Sequence, residues 1–294
     1  MTTPATRPAA FFLYRDSELR REALSNGAAS GSRYSLYGLD EAGAAGFDVR
    51  HNLEPTFRPG RGSRVAARAL NSGLELGGGY GGDFASVLAS RRALNRADVV
   101  FSTVDTLGIP TTLLKRAGLV RPPIVYAAIG LPERLDQLRS GSARRLFERA
   151  YRRLHTIVAY GRGEVDALRA WIGREGPEVV FVPFGVDTSA FAPEPGRAPE
   201  TDVVSVGADP RRDLRLLVRL AQAHEEWSFR IVSTRDQSAT LAVRPRNVEV
   251  ELDVPLASVR DRLASARVVV LPVKENTYSG ATTVLLQAMA LGKA

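Results

Sequence analysis

Two short segments in the second half of the chain carry residues suited to holding an anion. Arg211 and Arg212 follow Gly207 and sit just before a helix expected to start at Leu214, and Gly280-Ala281-Thr282-Thr283 opens a second, apolar helix running to Leu291. A cation beside a helix start can bind phosphate oxygens while backbone N–H groups supply further donors. Small residues at a helix N-terminus allow close approach to the backbone, where the dipole favours phosphate. A pair of solvated arginines is the alternative reading of Arg211-Arg212. In the first half, Asp105 stands at the end of an expected strand and Glu133 follows another. Each carboxylate could meet a substrate hydroxyl, and each could equally cap a helix or face water.

Other chemistries lack their residues. There are no cysteines, and His51, His155 and His224 are far apart, so neither a thiolate site nor a structural zinc is expected. No G-x-G-x-x-G follows the first strand, no G-x-x-x-x-G-K-[ST] occurs, and no G-x-S-x-G is present. Hydride transfer with a dinucleotide, P-loop phosphoryl transfer and α/β-hydrolase chemistry all lose support. The 40 Lys and Arg against 32 Asp and Glu give a net charge of +8. These cations are scattered and not interleaved with aromatics, so no nucleic-acid partner is expected.

The elements that must position these residues alternate regularly. Strands are expected over 9–14, 47–53, 98–103, 123–128, 156–160 and 178–182, with helices over 34–45, 84–96, 110–117, 142–154 and 164–171. Gly77-Gly78-Gly79-Tyr80-Gly81-Gly82 reads as a flexible loop opening the helix at Phe84. Short apolar strands alternating with helices imply a parallel sheet covered on both faces. The proline-rich stretch Ala192–Pro199 breaks the pattern, and a second alternation follows it. Strands are expected there over 202–206, 229–233, 248–252 and 268–273, and helices over 214–225, 256–264 and 282–291. The spacing predicts an α/β protein of two Rossmann-like domains, 1–184 and 201–294, joined by a linker over 185–200, with a ligand in the crevice between them. The sequence stops at Gly292-Lys293-Ala294, where a further parallel strand is due, so an incomplete second domain is expected.

Three stretches carry a family resemblance. Val182-Pro183-Phe184-Gly185-Val186-Asp187-Thr188-Ser189-Ala190-Phe191-Ala192-Pro193 resembles the interdomain segment of the family-4 retaining glycosyltransferases, roughly (I/V)-P-(N/F)-G-V-D-x-x-x-F-x-P. Val204-Ser205-Val206-Gly207-Ala208-Asp209-Pro210-Arg211-Arg212 is similar to their strand followed by G-R-x-x-x-K-G, whose two cations grip the donor pyrophosphate. Ala208 replaces the arginine, and Arg212 matches the lysine more closely than Arg211. The segment Glu275–Lys293 resembles E-G-F-G-L-x-x-x-E-A-M-A-x-G-x-P, with Ser279 and Gln287 standing where the family carries glutamates that touch sugar and ribose hydroxyls. Gln287 can still exchange hydrogen bonds with a ribose diol. Val284, Leu285, Ala288 and Met289 of the same helix read as core.

The resemblance implies a GT-B glycosyltransferase that retains configuration, with a nucleotide-sugar donor and a glycan, lipid-linked or small-molecule acceptor. Donor contacts fall on Gly207, Arg211, Arg212, Ser279, Gly280, Ala281, Thr282, Thr283 and Gln287; Asp105 and Glu133 are the candidates beside the acceptor hydroxyl. No metal and no separate cofactor are implied, since cationic side chains and helix dipoles neutralise the departing diphosphate. A cytoplasmic location is expected. Peripheral contact with anionic lipid through the arginine-rich amphipathic segment Ser142–Leu154 is a secondary expectation at the inner face of the membrane. A catalytically inactive GT-B homologue that binds a nucleotide, glycan or partner is the alternative, suggested by Ala208, Ser279 and Gln287.

Overall fold

The computed structural model describes residues 7–25, 32–276, 278 and 280–294; Ser279 lies outside the described residues. In chain order the first half contains β1 (Ala9–Leu13), α1 (Glu18–Ser25), α2 (Leu39–Ala44), β2 (Asp48–His51), α3 (Arg61–Leu76), α4 (Phe84–Leu94), β3 (Val99–Thr103) and α5 (Val104–Arg116). It continues with β4 (Ile124–Ala127), α6 (Leu131–Asp136), α7 (Gly141–Tyr151), β5 (Thr156–Ala159), α8 (Arg162–Ile172) and β6 (Glu178–Phe181). The second half contains β7 (Thr201–Val206), α9 (Leu214–Ala223), β8 (Phe229–Ser233), β9 (Val248–Leu252), α10 (Leu256–Ala264), β10 (Ala266–Val269) and α11 (Thr282–Ala290). The chain divides into two compact units: Leu36–Pro183 with the start of the chain up to Arg21, and Phe184–Ala294 with Glu22–Ser35.

The larger unit is built on a six-stranded parallel sheet of order β2-β1-β3-β4-β5-β6. Its strands are near-continuous apolar runs because helices cover both faces: Phe11, Phe12 and Leu13 are all buried, as are Ile157, Val158 and Ala159. The smaller unit has a four-stranded parallel sheet of order β10-β7-β8-β9. In each sheet the chain reverses its direction of growth once, between β1 and β3 and between β7 and β10. Loops leaving the carboxyl ends of the strands at such a reversal diverge and open a crevice.

Several expectations are corrected here. The helix expected to begin at Pro110 begins at Val104 and carries Pro110 inside it. Proline cannot donate to the carbonyl four residues back, which is Thr106; that carbonyl accepts the Asp83 N–H at 2.8 Å instead. The same contact pins the glycine stretch. Asn71 brackets Gly82, its Nδ2 donating to the Gly82 carbonyl and its Oδ1 accepting the Gly82 N–H, both at 3.1 Å. Ser140 Oγ donates to the Gly77 carbonyl at 2.6 Å. A Cβ on Gly82 would collide with the Thr106 carbonyl, so these glycines serve close packing and the segment is not a free loop. Residues 61–76, to which no element was assigned, form α3. β10 ends at Val269 rather than Val273, because the Pro272 carbonyl and Val273 engage the loop after β7.

Candidate functional site

The loop that follows β7 is shaped by Asp209. Its Oδ1 accepts the Arg211 N–H at 2.7 Å, and its carbonyl accepts the Arg212 N–H at 3.0 Å, closing a tight turn. Asp213 then caps α9 by accepting the Leu216 N–H at 3.1 Å. Between these anchors Arg212 pairs in a β-bridge with Val273, while the Asp213 N–H donates to the Pro272 carbonyl at 2.9 Å and Lys274 N–H to the Arg211 carbonyl at 2.8 Å. The segments leaving β7 and β10 are thereby stitched together at the reversal point of the sheet.

Arg212 is turned inward and is only 5% exposed. Its guanidinium lies against Gly207, where a Cβ would stand 2.5 Å from Nε and 2.8 Å from Nη2, and Gly207 holds a φ of +152° that suits glycine alone. Nε and Nη1 are buried without a hydrogen-bond partner among the described residues. Buried polar groups are nearly always paired, so two such donors on one cation are suited to an incoming acceptor. Burial pulls the guanidinium below its usual pKa, opposed by the charge of Asp209 and by Tyr278.

Tyr278 donates its hydroxyl to the Asp209 carboxylate, 2.7 Å from each oxygen. Gly280 packs beneath: a Cβ there would stand 2.8 Å from the Tyr278 ring and 3.0 Å from Asp209 Oδ2. Next to it α11 starts at Thr282 with Ala281 at its cap position and no side chain capping it. The structure therefore gathers Gly207, Arg211, Arg212, Gly280 and Ala281 around the Asp209–Tyr278 contact, with Thr282 and Thr283 in the first turn of α11. Gln287 lies one turn deeper and is 2% exposed. Its Cβ leans toward the helix start and shares a face with Thr283. Ala288 is buried as expected, whereas Leu285 and Met289 are 47% and 62% exposed and do not belong to the core. Neither Asp209 nor Tyr278 was singled out by sequence reasoning; their partnership spans 69 residues and has no local signature.

In the larger unit the ends of β1 and β3 are joined by Thr103 Oγ1, which donates to the Leu13 carbonyl at 2.8 Å. Val104 follows with φ +54°, a strained value for a β-branched residue, and directs Asp105 onto the loop after β4. Asp105 Oδ1 accepts the Tyr126 hydroxyl at 2.6 Å. Gly108 allows this, since a Cβ there would overlap the Tyr126 ring. Burial raises the Asp105 pKa to about 6, with the Tyr126 hydrogen bond opposing. Glu133 lies half-buried in the first turn of α6. Sequence reasoning missed Glu164 of α8, which is fully buried. Its Oε1 accepts the Gly130 N–H at 2.8 Å, and its Oε2 is buried without a hydrogen-bond partner among the described residues. Burial raises its pKa to about 7, the Gly130 hydrogen bond lowering it and the charge of Asp105 raising it further.

The amphipathic α7 uses its apolar face internally: Phe147, Ala150 and Tyr151 are fully buried. Leu146 alone of that expected stripe stays partly outside, at 39% exposure. Among the described residues no helix is long and apolar enough to cross a membrane.

No protein-family model matches the chain, and no curated protein matches it by sequence. Solved structures do. Sucrose-phosphate synthase from Thermosynechococcus elongatus superposes with a TM-score of 0.67 at 15% identity, covering 98% of this chain and 80% of that one. The UDP-forming α,α-trehalose-phosphate synthase from Burkholderia vietnamiensis gives a TM-score of 0.61 at 13% identity, covering 97% and 81%. Anabaena HepE, solved in complex with UDP and glucose, gives 0.57 at 14% identity, covering 98% and 79%. These neighbours are GT-B glycosyltransferases, and the fold of this chain is GT-B, an α/β fold of two Rossmann-like domains.

Proposed function

We propose that this protein transfers a sugar from a nucleotide-sugar donor to an acceptor hydroxyl with retention of configuration. The observation that carries the reading is the buried Arg212 guanidinium, its Nε and Nη1 unpartnered among the described residues, held at the reversal point of the second sheet. A donor diphosphate placed between Arg212 and the start of α11 would satisfy those donors and add the backbone N–H groups of Ala281, Thr282 and Thr283. Gly207 lets the guanidinium close on the end of β7 and Gly280 lets the Tyr278 ring approach the start of α11; Arg211 stands beside them in the loop, and Gln287 is assigned the ribose hydroxyls. UDP is the nucleotide in the solved neighbours HepE and the trehalose-phosphate synthases, which supports a uridine donor.

In this reading Arg212 and the helix dipole neutralise the departing diphosphate without a metal or a further cofactor. The bond from the anomeric carbon to the diphosphate oxygen breaks, the acceptor oxygen bonds to the same face, and the acceptor proton passes to the departing phosphate. Asp105 and Glu133 in the larger unit orient the acceptor, which is a glycan, a lipid-linked sugar or a small molecule. The reading places the protein in the cytoplasm. A catalytically silent homologue that only binds the nucleotide is the second reading, favoured by Ala208 and Gln287 where a cation and a carboxylate would serve the donor.

Calorimetric titration with UDP tests the site, and release of UDP from UDP-glucose tests the chemistry. A charge-assisted hydrogen bond contributes about 1.5–3 kcal/mol, so Arg212→Ala should weaken UDP binding roughly tenfold or more. Equal affinity of the two proteins removes the diphosphate from this position. Binding without turnover selects the silent homologue.

A further inference from the structure

The larger unit has a cavity at the amino ends of its strands, the opposite end of the sheet from Asp105. It measures 360 Å³ and is bounded by Ala9 and Asp48, the first residues of β1 and β2, which pair in register, and by the end of α4. That volume sits at the small end of ligand sites, about 300–1,000 Å³, so a compact molecule fits and a nucleotide sugar does not. Small side chains leave the space open: Ala9 and Ala10 of β1, with Ala93 and Ala97 on the helix side, all line it. Phe57 closes one wall, edge-on to Phe11 with ring centroids 5.3 Å apart.

The charged residues lining this cavity are Asp48, Arg50, Arg92 and Arg96. Asp48 and Arg50 are two apart on β2 and share a face. Arg50 is already engaged: its Nη2 donates to Glu54 at 2.8 Å, and its guanidinium stands 5.3 Å from the Phe57 ring centroid. The other two arginines are not. Neither the Arg92 nor the Arg96 guanidinium has a hydrogen-bond or ion-pair partner among the described residues. They lie one turn apart, the turn continuing past α4 through the Arg96 N–H on the Ala93 carbonyl at 3.0 Å. Like charges at this spacing repel. Asp98, two residues further on, gives its carboxylate to the Ala9 N–H at 2.7 Å instead of to Arg96.

Two unpaired cations on one wall suit a dianion, and a phosphoryl group offers oxygens to both guanidiniums. A phosphate monoester carries close to that charge at neutral pH. The alanine and phenylalanine floor favours an apolar body, since it has nothing to offer a further polar group. We propose that this cavity binds a compact phosphate monoester with an apolar body, its phosphoryl group between Arg92 and Arg96 and its body on the alanine floor. Cations also suit the carbonyl end of a helix. Arg91 supplies one in the same last turn without lining the cavity, which makes it the control.

The test is calorimetry on the whole chain with phenyl phosphate, inorganic phosphate, succinate and phenol. Phenyl phosphate should bind at least tenfold more tightly than inorganic phosphate, which lacks the body, and than succinate, whose charges sit at two ends. Phenol should not bind measurably. Arg92→Ala and Arg96→Ala change exposed side chains and should each weaken phenyl phosphate tenfold or more at an unchanged Tm, while Arg91→Ala leaves it as it is. Asp48→Asn removes the acidic residue among those lining the cavity and should tighten binding about threefold. Ala97→Leu fills the floor and should erase the preference for phenyl phosphate over inorganic phosphate, a second measure should an arginine variant fail to fold. Arg212→Ala should leave the affinity unchanged, so this inference and the donor reading fail separately. Absence of binding, affinity lost with Arg212→Ala, an equal loss with Arg91→Ala, indifference to Arg92→Ala and Arg96→Ala, or succinate matching phenyl phosphate overturns the proposal.

Discussion

The Arg212 guanidinium lies against Gly207, so close that a Cβ at position 207 would stand 2.5 Å from its Nε. Gly207 directly follows β7 and Arg212 pairs with the segment that follows β10, so one contact fixes the cation at the meeting point of two loops. Gly207→Ala should therefore act twice. The φ of +152° becomes strained, costing about 1–3 kcal/mol, and the guanidinium is displaced. Denaturant unfolding should report the first effect and UDP calorimetry a loss of tenfold or more for the second. Unchanged affinity in a folded Gly207→Ala protein would show that the position of Arg212 does not matter to the nucleotide.

A cation kept for a ligand and a cation kept for the fold respond oppositely to removal. Burying a guanidinium whose donors lack an acceptor costs free energy, and an apolar side chain of similar volume removes that cost. Arg212→Met should thus raise the Tm of the unliganded protein and abolish the UDP-induced rise in Tm. A fall in Tm without ligand would make Arg212 a structural residue.

The Asp209–Tyr278 contact holds a carboxylate beside the proposed diphosphate, where a free negative charge would repel it. Tyr278→Phe releases that carboxylate from its hydroxyl donor, and UDP affinity should fall about threefold to tenfold, a loss of roughly 1 kcal/mol. Asp209→Asn in the Tyr278→Phe background should recover most of it. The double-mutant cycle decides: additive effects would mean that the pair does not act as a unit.

Asp105 and Glu164 give the larger unit a pH dependence of defined sign. Their pKa values rise on folding to about 6 and about 7, because burial disfavours the carboxylates. Between about pH 4 and pH 7 the folded state holds protons that the unfolded chain has released, so stability is greatest at the acid end and falls as pH rises through this window. Glu164→Gln keeps an oxygen for the Gly130 N–H and removes the titration. Its stability at pH 8 should exceed wild type by about 1–3 kcal/mol, the difference vanishing near pH 4. Chemical denaturation at the two pH values is the measurement, and parallel curves for the two proteins would show that Glu164 does not titrate in this range.

Much of the local structure was legible in the residues themselves. Strand and helix alternation placed β8, β9 and α10 at their observed bounds, since apolar runs and turn residues act over a few neighbours. The expectation of two Rossmann-like α/β domains came from the same alternation, and GT-B from the resemblance of Val182–Pro193, the stretch around Gly207 and Glu275–Lys293 to the family's segments. What sequence could not supply were relations set by sheet order. Pro110 looked like a helix start because its lost hydrogen bond is visible locally, while the Asp83 N–H that replaces it on Thr106 is brought there only by packing. The leucine and arginine pattern of α7 stated that one face would be buried without stating against what, and the core claimed it. Asp209 with Tyr278, and Glu164 with Gly130, are distant in sequence, and each side chain alone reads as a solvated polar group. Their burial follows from which strands lie side by side, a choice made by the cooperative packing of the whole unit.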